Sequence, residues 1–349
     1  MIVVGIDPHK KTHTAVAVDL AGKQLAEFTF QARIKGFEKL LVWARRIDEE
    51  RLFAVEDVRH VSASFERFLI AHGEAGVRVP PKLMAGARES ARTPGKSDPI
   101  DALAVARAAL REPDLPRIGL EGAELDLRLL VDHREDLITQ RTGIQQRLRW
   151  HLHDLDAAFE VPARRLDVAV QLQRVDRKLA RMEKTTRMRI ARRLVAQCKQ
   201  LSVEVDALEK EITAIVRQMA PELLAIPGCG ALTAAKLLGE IGDVSRFASD
   251  AKLAVHAGVA PLPASSGIAS RYRLNRRGNR QLNVAFHRIA ITQGRIHEPA
   301  RNYLARKQAE GKSRLEALRC LKRFIAREVF KALTQRQLNV ESGLTAAVA

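Results

Sequence analysis

Cysteine is scarce in this chain of 349 residues, and its three copies, Cys198, Cys229 and Cys320, lie far apart. No CxxC pair joins them, which argues against a zinc ribbon or a disulfide framework and makes a reducing cytoplasm the expected location. Long apolar runs are missing as well: no stretch reaches the roughly 18 residues that a membrane span needs. The opening MIVVGIDPHKK carries an acidic residue inside its short apolar run, so neither export nor membrane insertion is expected. Acidic residues are absent from the whole interval between Asp250 and Glu298.

Basic residues are abundant. Lys and Arg number 59 against 41 Asp and Glu, a net charge of +18 that attracts a polyanion and releases its counterions on contact. Nucleic acid is the expected partner. The length suffices for two or three domains, each with its own core.

The runs Ile2–Ile6, Thr14–Val18 and Gln24–Phe30 predict three consecutive strands joined by tight turns. Gly36–Ile47 has helical spacing, Leu52–Val55 reads as a short strand, and Ser62–His72 is helical again. That order implies a mixed sheet with helices on its faces over residues 1–118.

From about Glu121 to Met219 the pattern is helical and charged. Cys198, Leu201, Val205, Leu208, Ile212, Ile215 and Met219 step by three and four, as a coiled-coil seam requires. Two partners fit that seam equally: a second subunit, or the earlier helix around Leu130, Leu137, Ile144 and Leu148. Between Arg174 and Lys199 ten basic residues stand against two acidic ones, which predicts a polyanion-binding surface. With residues 119–220 as the helical middle, a third domain spans 221–335. It contains a helix from about Arg301 to Lys331, and residues 336–349 form a frayed tail.

Four carboxylates stand out. Asp7 and Glu56 each end an apolar strand, and parallel pairing of those strands sets them side by side. Such a pair is costly unless a cation neutralises it. Asp98 and Asp101, in Lys96-Ser97-Asp98-Pro99-Ile100-Asp101, share one face of a helix start. For single residues the ordinary alternatives are an N-cap at Asp98 and an ion pair of Glu56 with Arg59. As a set, four hard oxygen donors suit Mg²⁺ or Mn²⁺ and the cleavage of phosphodiesters.

In the C-terminal third, Ser265-Ser266-Gly267 precedes Arg271, Arg273, Arg276, Arg277 and Arg280. A serine there can attack a phosphate whose charge the arginines stabilise, or the arginines can simply grip a backbone. Pro227-Gly228-Cys229-Gly230 before a helix is similar to a helix-hairpin-helix turn, in which Gly228 and Gly230 present N–H groups to a DNA phosphate.

Taken together, these residues resemble the DEDD transposases of insertion sequences, the Piv/MooV type or insertion-sequence one-ten family. The resemblance covers most of the chain. It rests on Gly5-Ile6-Asp7-Pro8-His9-Lys10, Val79-Pro80 through Arg92, Gly95 to Ala102, Ile226-Pro227-Gly228 to Gly239, Ala257 to Pro261, Ser265-Ser266-Gly267 and Arg277-Gly278-Asn279-Arg280. It implies a RuvC-like RNase H fold at the N-terminus, a helical coiled-coil middle, and a C-terminal helical transposase domain with a helix-hairpin-helix. It also implies Asp7, Glu56, Asp98 and Asp101 as the metal set and Ser266 as the nucleophile of a covalent phosphoserine link. Donor and target DNA, a structured bridge RNA, and assembly as a dimer or tetramer belong to the same expectation. The stretch Asp57-Val58-Arg59-His60 departs from the family's small, Gly-containing pattern, so Asp57 stands beside Glu56 as an alternative, and Ser265 beside Ser266.

Three other readings are a Holliday-junction endonuclease using water in place of serine, an actin-like ATPase, and a non-catalytic nucleic-acid scaffold. The ATPase requires a second Asp-x-Gly phosphate loop, which the chain lacks.

Overall fold

The computed structural model describes residues 1–81, 83–84, 97–112, 115–119, 122–162, 165–263, 272–273, 275 and 278–348. They form two compact units, Met1–Glu121 and Gly122–Ala349.

The first unit is the predicted mixed sheet. β1 (Ile2–Pro8), β2 (Thr12–Val18) and β3 (Gln24–Gln31) make an antiparallel meander, and β4 (Arg51–Glu56) and β5 (Gly76–Val79) add parallel strands beyond β1. The strand order is β3-β2-β1-β4-β5. Central β1 is buried along its whole length, and its near-continuous apolar run reflects cover on both faces. On one face Ile2, Val4, Ile6, Phe53 and Val55 meet Phe37 and Leu40 of α1 (Ile34–Ile47) and Phe65 and Leu69 of α2 (Arg59–Ala71). On the other, Val3, Val16, Val18 and Ala54 meet Ala102, Val105 and Ala106 of α3 (Asp98–Arg111). Each fully buried large side chain contributes about 1.5–3 kcal/mol.

Gly5 sets the distance between α3 and the sheet. A Cβ on Gly5 would lie 2.1 Å from the carbonyl oxygen of Ala102 and 2.5 Å from the amide of Ala106. The helix backbone therefore rests directly on β1. Side chains alternate along a strand, so Asp7 shares the α3 face with Val3 and Gly5, and Glu56 shares it with Ala54.

Among the described residues, the regular structure of the second unit is helical apart from one two-stranded ladder. It opens with α4 (Ala123–Leu155) and α6 (Thr186–Met219), both long, and the shorter α5 (Ala169–Ala180) between them. Leu127 and Val131 at the start of α4 join Ile212 and Val216 at the end of α6 in one core. Ile144, Leu148 and Leu152 join Ala191, Val195 and Cys198 in another. The two helices are therefore antiparallel, and among the described residues the seam's partner is the earlier helix of the same chain.

Further helices follow: α7 (Pro221–Leu224), α8 (Ala231–Ile241), α9 (Asp250–His256), α10 (Arg280–Ile296), α11 (Glu298–Ala309) and the long α12 (Arg314–Val348). They share the core that holds Leu127 and Ile212, so the helical middle and the C-terminal third form one unit. The helix expected from Arg301 to Lys331 is two helices. Gly311, at φ 87°, breaks it, and Ser313 with Glu316 forms a capping box that restarts it. Helix α12 also outruns its expected end: Leu333 is buried, and Arg336 donates to Glu124 at 2.8 Å. Among the described residues no helix is long and apolar enough to cross a membrane.

Candidate active site

Asp7 leaves β1 beside the start of α3. It is 4% exposed, and its Oδ2 is buried with no hydrogen-bond partner. Burial pushes its carboxyl up from the usual 3.8 to about 7; the charge of His9 opposes this, and those of Glu56, Asp101 and Asp98 reinforce it. All four sequence-derived carboxylates thus lie in one electrostatic neighbourhood. Asp101 is buried, Glu56 half-buried and Asp98 exposed.

The N-cap alternative for Asp98 does not hold. Ser97 is the cap residue of α3, leaving Asp98 within the first turn. Pro99 follows it, where a missing N–H costs nothing.

One member of the cluster was not foreseen. The ligand atoms of Asp7, His9 and Asp98 lie within 4.8 Å of one another, a span that one ion can bridge. His9 Nδ1 is 3.7 Å from Asp7 Oδ2. Its signal in the sequence is its place two residues beyond Asp7, at the mouth of the β1–β2 turn. The His9 amide donates to Nδ1 of His13 at 3.2 Å, and His13 is packed among Phe30, Phe37 and Phe65. A buried carboxylate oxygen without a hydrogen-bond partner, close to a second carboxylate and an imidazole, fits a divalent cation; Glu56 and Asp101 are not part of this close group.

Ser265, Ser266, Arg271, Arg276 and Arg277 lie outside the described residues. Flanking them, Leu262 pairs with Arg273 and Pro263 with Tyr272 in an antiparallel ladder of β6 (Leu262–Pro263) and β7 (Tyr272–Arg273). Arg280, exposed, opens α10 behind its cap Asn279, whose Oδ1 accepts from the amides of Gln281 and Leu282. Asn279 also donates from Nδ2 to Glu240 at 2.6 Å.

Gly228 and Gly230 occupy the turn between α7 and α8. Gly228 has φ 80°, and a Cβ on it would lie 3.0 Å from Cβ of Thr292. Gly230 is exposed and caps α8 without a side chain, so the N-terminus of that helix is open to a ligand.

The elbow between α5 and α6 carries the predicted excess of cations. Lys178 pairs with Asp156, Arg187 with Asp154, and Arg192 and Lys199 with Asp176. Arg174, Arg177, Arg181, Lys184, Arg189 and Arg193 are exposed beside them. Thr186, Arg189, Arg193 and Lys199 line an open groove of about 740 Å³ there.

Comparison with known proteins places these features. A model described as a transposase of the DEDD, IS110 type matches residues 4–155, and one described as "Transposase IS116/IS110/IS902 family" matches residues 220–305. An uncharacterized 44.8 kDa protein of insertion element IS116 from Streptomyces clavuligerus is 29% identical, the alignment covering 92% of each chain. A 42 kDa protein of insertion element IS900 from Mycobacterium paratuberculosis is 29% identical over 78% of this chain and 77% of its own. The solved RuvC of T. thermophilus, in complex with a Holliday junction substrate, is 14% identical at a TM-score of 0.27, covering 34% of this chain and 99% of that one.

The two matched models, one over the carboxylate unit and one over the helices after Ala220, define a DNA transposase. Its place among them follows from the same matches: the chain belongs to the IS110 family of insertion-sequence transposases.

Proposed function

We propose that this transposase cuts and rejoins DNA with two sets of groups: Asp7, Glu56, Asp98 and Asp101, which hold Mg²⁺ or Mn²⁺, and Ser266, which is the nucleophile. The observation that carries the reading is the buried Oδ2 of Asp7, which has no hydrogen-bond partner, lies beside His9 and Asp98, and feels the charges of Glu56 and Asp101. The five-stranded order and directions of the sheet support a RuvC-like RNase H fold for the first unit.

When bound, the cation neutralises the carboxylates and polarises phosphoryl oxygens. Asp7 and Asp101, both buried, give the site its rigid floor, and Asp98 its open side. Ser266 Oγ loses its proton and bonds to phosphorus, and one sugar oxygen leaves with a proton as a hydroxyl. Attack by the hydroxyl of a second strand reverses the step, so the ester bond is conserved and no nucleotide is consumed. Arg271, Arg273, Arg276, Arg277 and Arg280 stabilise the phosphate charge, and the turn at Gly228 and Gly230 acts as a helix-hairpin-helix that grips a second phosphate. The cationic elbow of α5 and α6 holds backbone phosphates of a structured guide RNA, and the enzyme works as a dimer or tetramer on donor and target DNA.

Incubation with element-end DNA, target DNA and RNA transcribed from the element's flank, in Mg²⁺, tests this on denaturing gels. A protein–DNA adduct is expected with the native chain. It should vanish in Ser266→Ala with DNA binding retained, and Asp7→Ala should block strand exchange. An adduct at normal yield in Ser266→Ala overturns the serine assignment, and strand exchange by Asp7→Ala overturns the metal set.

A further inference from the structure

Lys322 is an unusual residue for the interior of a helical unit. It sits on α12 and is 5% exposed. No carboxylate pairs with it among the described residues; its Nζ donates to Oδ1 of Asn283 on α10 at 2.8 Å. Burial, together with the charge of Arg319, holds its pKa below the usual lysine value; His287 nearby is lowered by its own burial and then by the charge of Lys322. An ammonium buried without a carboxylate costs stability that an apolar residue would not.

Asn283 shows where that cost leads. A lysine only donates, so it holds the amide oxygen of Asn283 toward itself and turns the NH₂ group the other way. That group donates to two backbone carbonyls, Ala257 at 3.2 Å and Gly258 at 3.0 Å. Gly258 has φ 67°, a conformation that side chains disfavour. It is pressed against Gly278: a Cβ on Gly278 would lie 2.2 Å from the amide nitrogen of Gly258. Beside this crossing the Asn279 amide donates to the carbonyl of His256 at 2.6 Å. Asn275, buried between them, donates to the carbonyl of Val255 at 3.0 Å, so several contacts hold this crossing of Gly258 and Gly278, and Ser266 lies between the two glycines in the sequence.

We propose that Lys322 is a positioning residue for strand transfer: through the amide of Asn283 it locks the Gly258–Gly278 crossing that brackets Ser266 in the sequence. The inference rests on the serine reading of the proposed function. A buried charge at the root of a segment makes its geometry directional, since only one orientation of Asn283 satisfies both the lysine and the two carbonyls. Held roots place an attacking group within reach of its target, and small displacements there cost large factors in rate.

The test compares Lys322→Met with Asn283→Asp in the full chain. The first removes the charge and keeps the bulk. The second keeps a partner for Lys322 and removes the two donors to Ala257 and Gly258. Both should slow strand transfer about tenfold at saturating DNA, with Kd for element-end DNA unchanged. Amides of Gly258, Val259 and Asn279 should lose hydrogen-exchange protection while helices α8 and α10 keep theirs. The double variant should be no slower than either single one.

Unchanged strand transfer in Lys322→Met overturns the proposal. So does a slowing accompanied by loss of protection across the whole unit, because Lys322 then acts through general stability. These rates are read on joined DNA product and do not use the adduct. A failure of the serine reading therefore appears separately, as an adduct persisting in Ser266→Ala.

Discussion

Nδ1 of His9 lies 3.7 Å from Oδ2 of Asp7, and Asp98 completes a triangle whose ligand atoms are all within 4.8 Å. An imidazole among carboxylates adds a nitrogen donor to an otherwise oxygen-only set. Nitrogen favours Mn²⁺ and later first-row ions over Mg²⁺. His9→Ala should therefore weaken Mn²⁺ binding about tenfold and Mg²⁺ binding far less, read by isothermal titration calorimetry. Equal losses for the two ions would show that His9 serves only as a counter-charge to Asp7.

Asp7 makes the metal-free protein pH-sensitive. Its carboxyl is raised to about 7, chiefly by burial, so the folded state binds this proton more tightly than the unfolded chain does. Stability from this group is fully present below about pH 4 and is lost as pH rises toward 7. Asp7→Asn in EDTA should thus be more stable than the native chain by ~1–4 kcal/mol at pH 8, the gain shrinking to nothing near pH 4. Denaturant midpoints at the two pH values check this, and equal gains at both would remove the assignment. In Mg²⁺ the order should narrow, because the ion stabilises only the native aspartate.

Gly5 should tolerate no side chain. Alanine there puts a carbon 2.1 Å from the Ala102 carbonyl, and either α3 or β1 must move. A destabilisation of about 2–3 kcal/mol is expected. Metal affinity should fall as well, since Asp98 and Asp101 ride on the displaced helix. A Gly5→Ala variant of native stability and native affinity would contradict the close packing.

The α5–α6 elbow makes a salt-dependent prediction. Replacing Arg181, Arg189 and Arg193 with Gln removes three exposed cations near the groove. The slope of log K for nucleic-acid binding against log salt should fall by about 2–3, each backbone contact accounting for about 0.9. Filter binding across salt concentrations measures it; an unchanged slope means that the elbow does not meet phosphate.

Much of the first unit was legible because its signals are local. The runs of β1, β2 and β4 are apolar and punctuated by turns, and the period of two assigns Asp7 and Glu56 to one face once β1 and β4 are parallel neighbours. β5, four residues in Gly76–Val79, is too short to carry such a pattern. Gly5 read only as part of a motif, since its role depends on a helix nearly 100 residues later. His9 escaped because a histidine in a polar turn has many ordinary uses, and only the fold sets it against Asp98. The seam of α6 was clear in spacing and silent about its partner, because steps of three and four look alike in inter- and intrachain packing. Lys322 was invisible: its burial follows from α12 crossing α10, which sequence periodicity does not report.

The buried cysteines have a practical use. Cys198 belongs to the core of the α5–α6 end and Cys229 to the core shared with the helices after Ala220, and burial raises their thiols to about 11 and about 12. Neither is a thiolate at neutral pH, so each reacts with an alkylating probe only when its own end of the unit opens. The native chain thus carries two clocks, one for each core of the helical unit. Mass spectrometry of labelled peptides can follow them during a cycle of strand exchange with no engineered change.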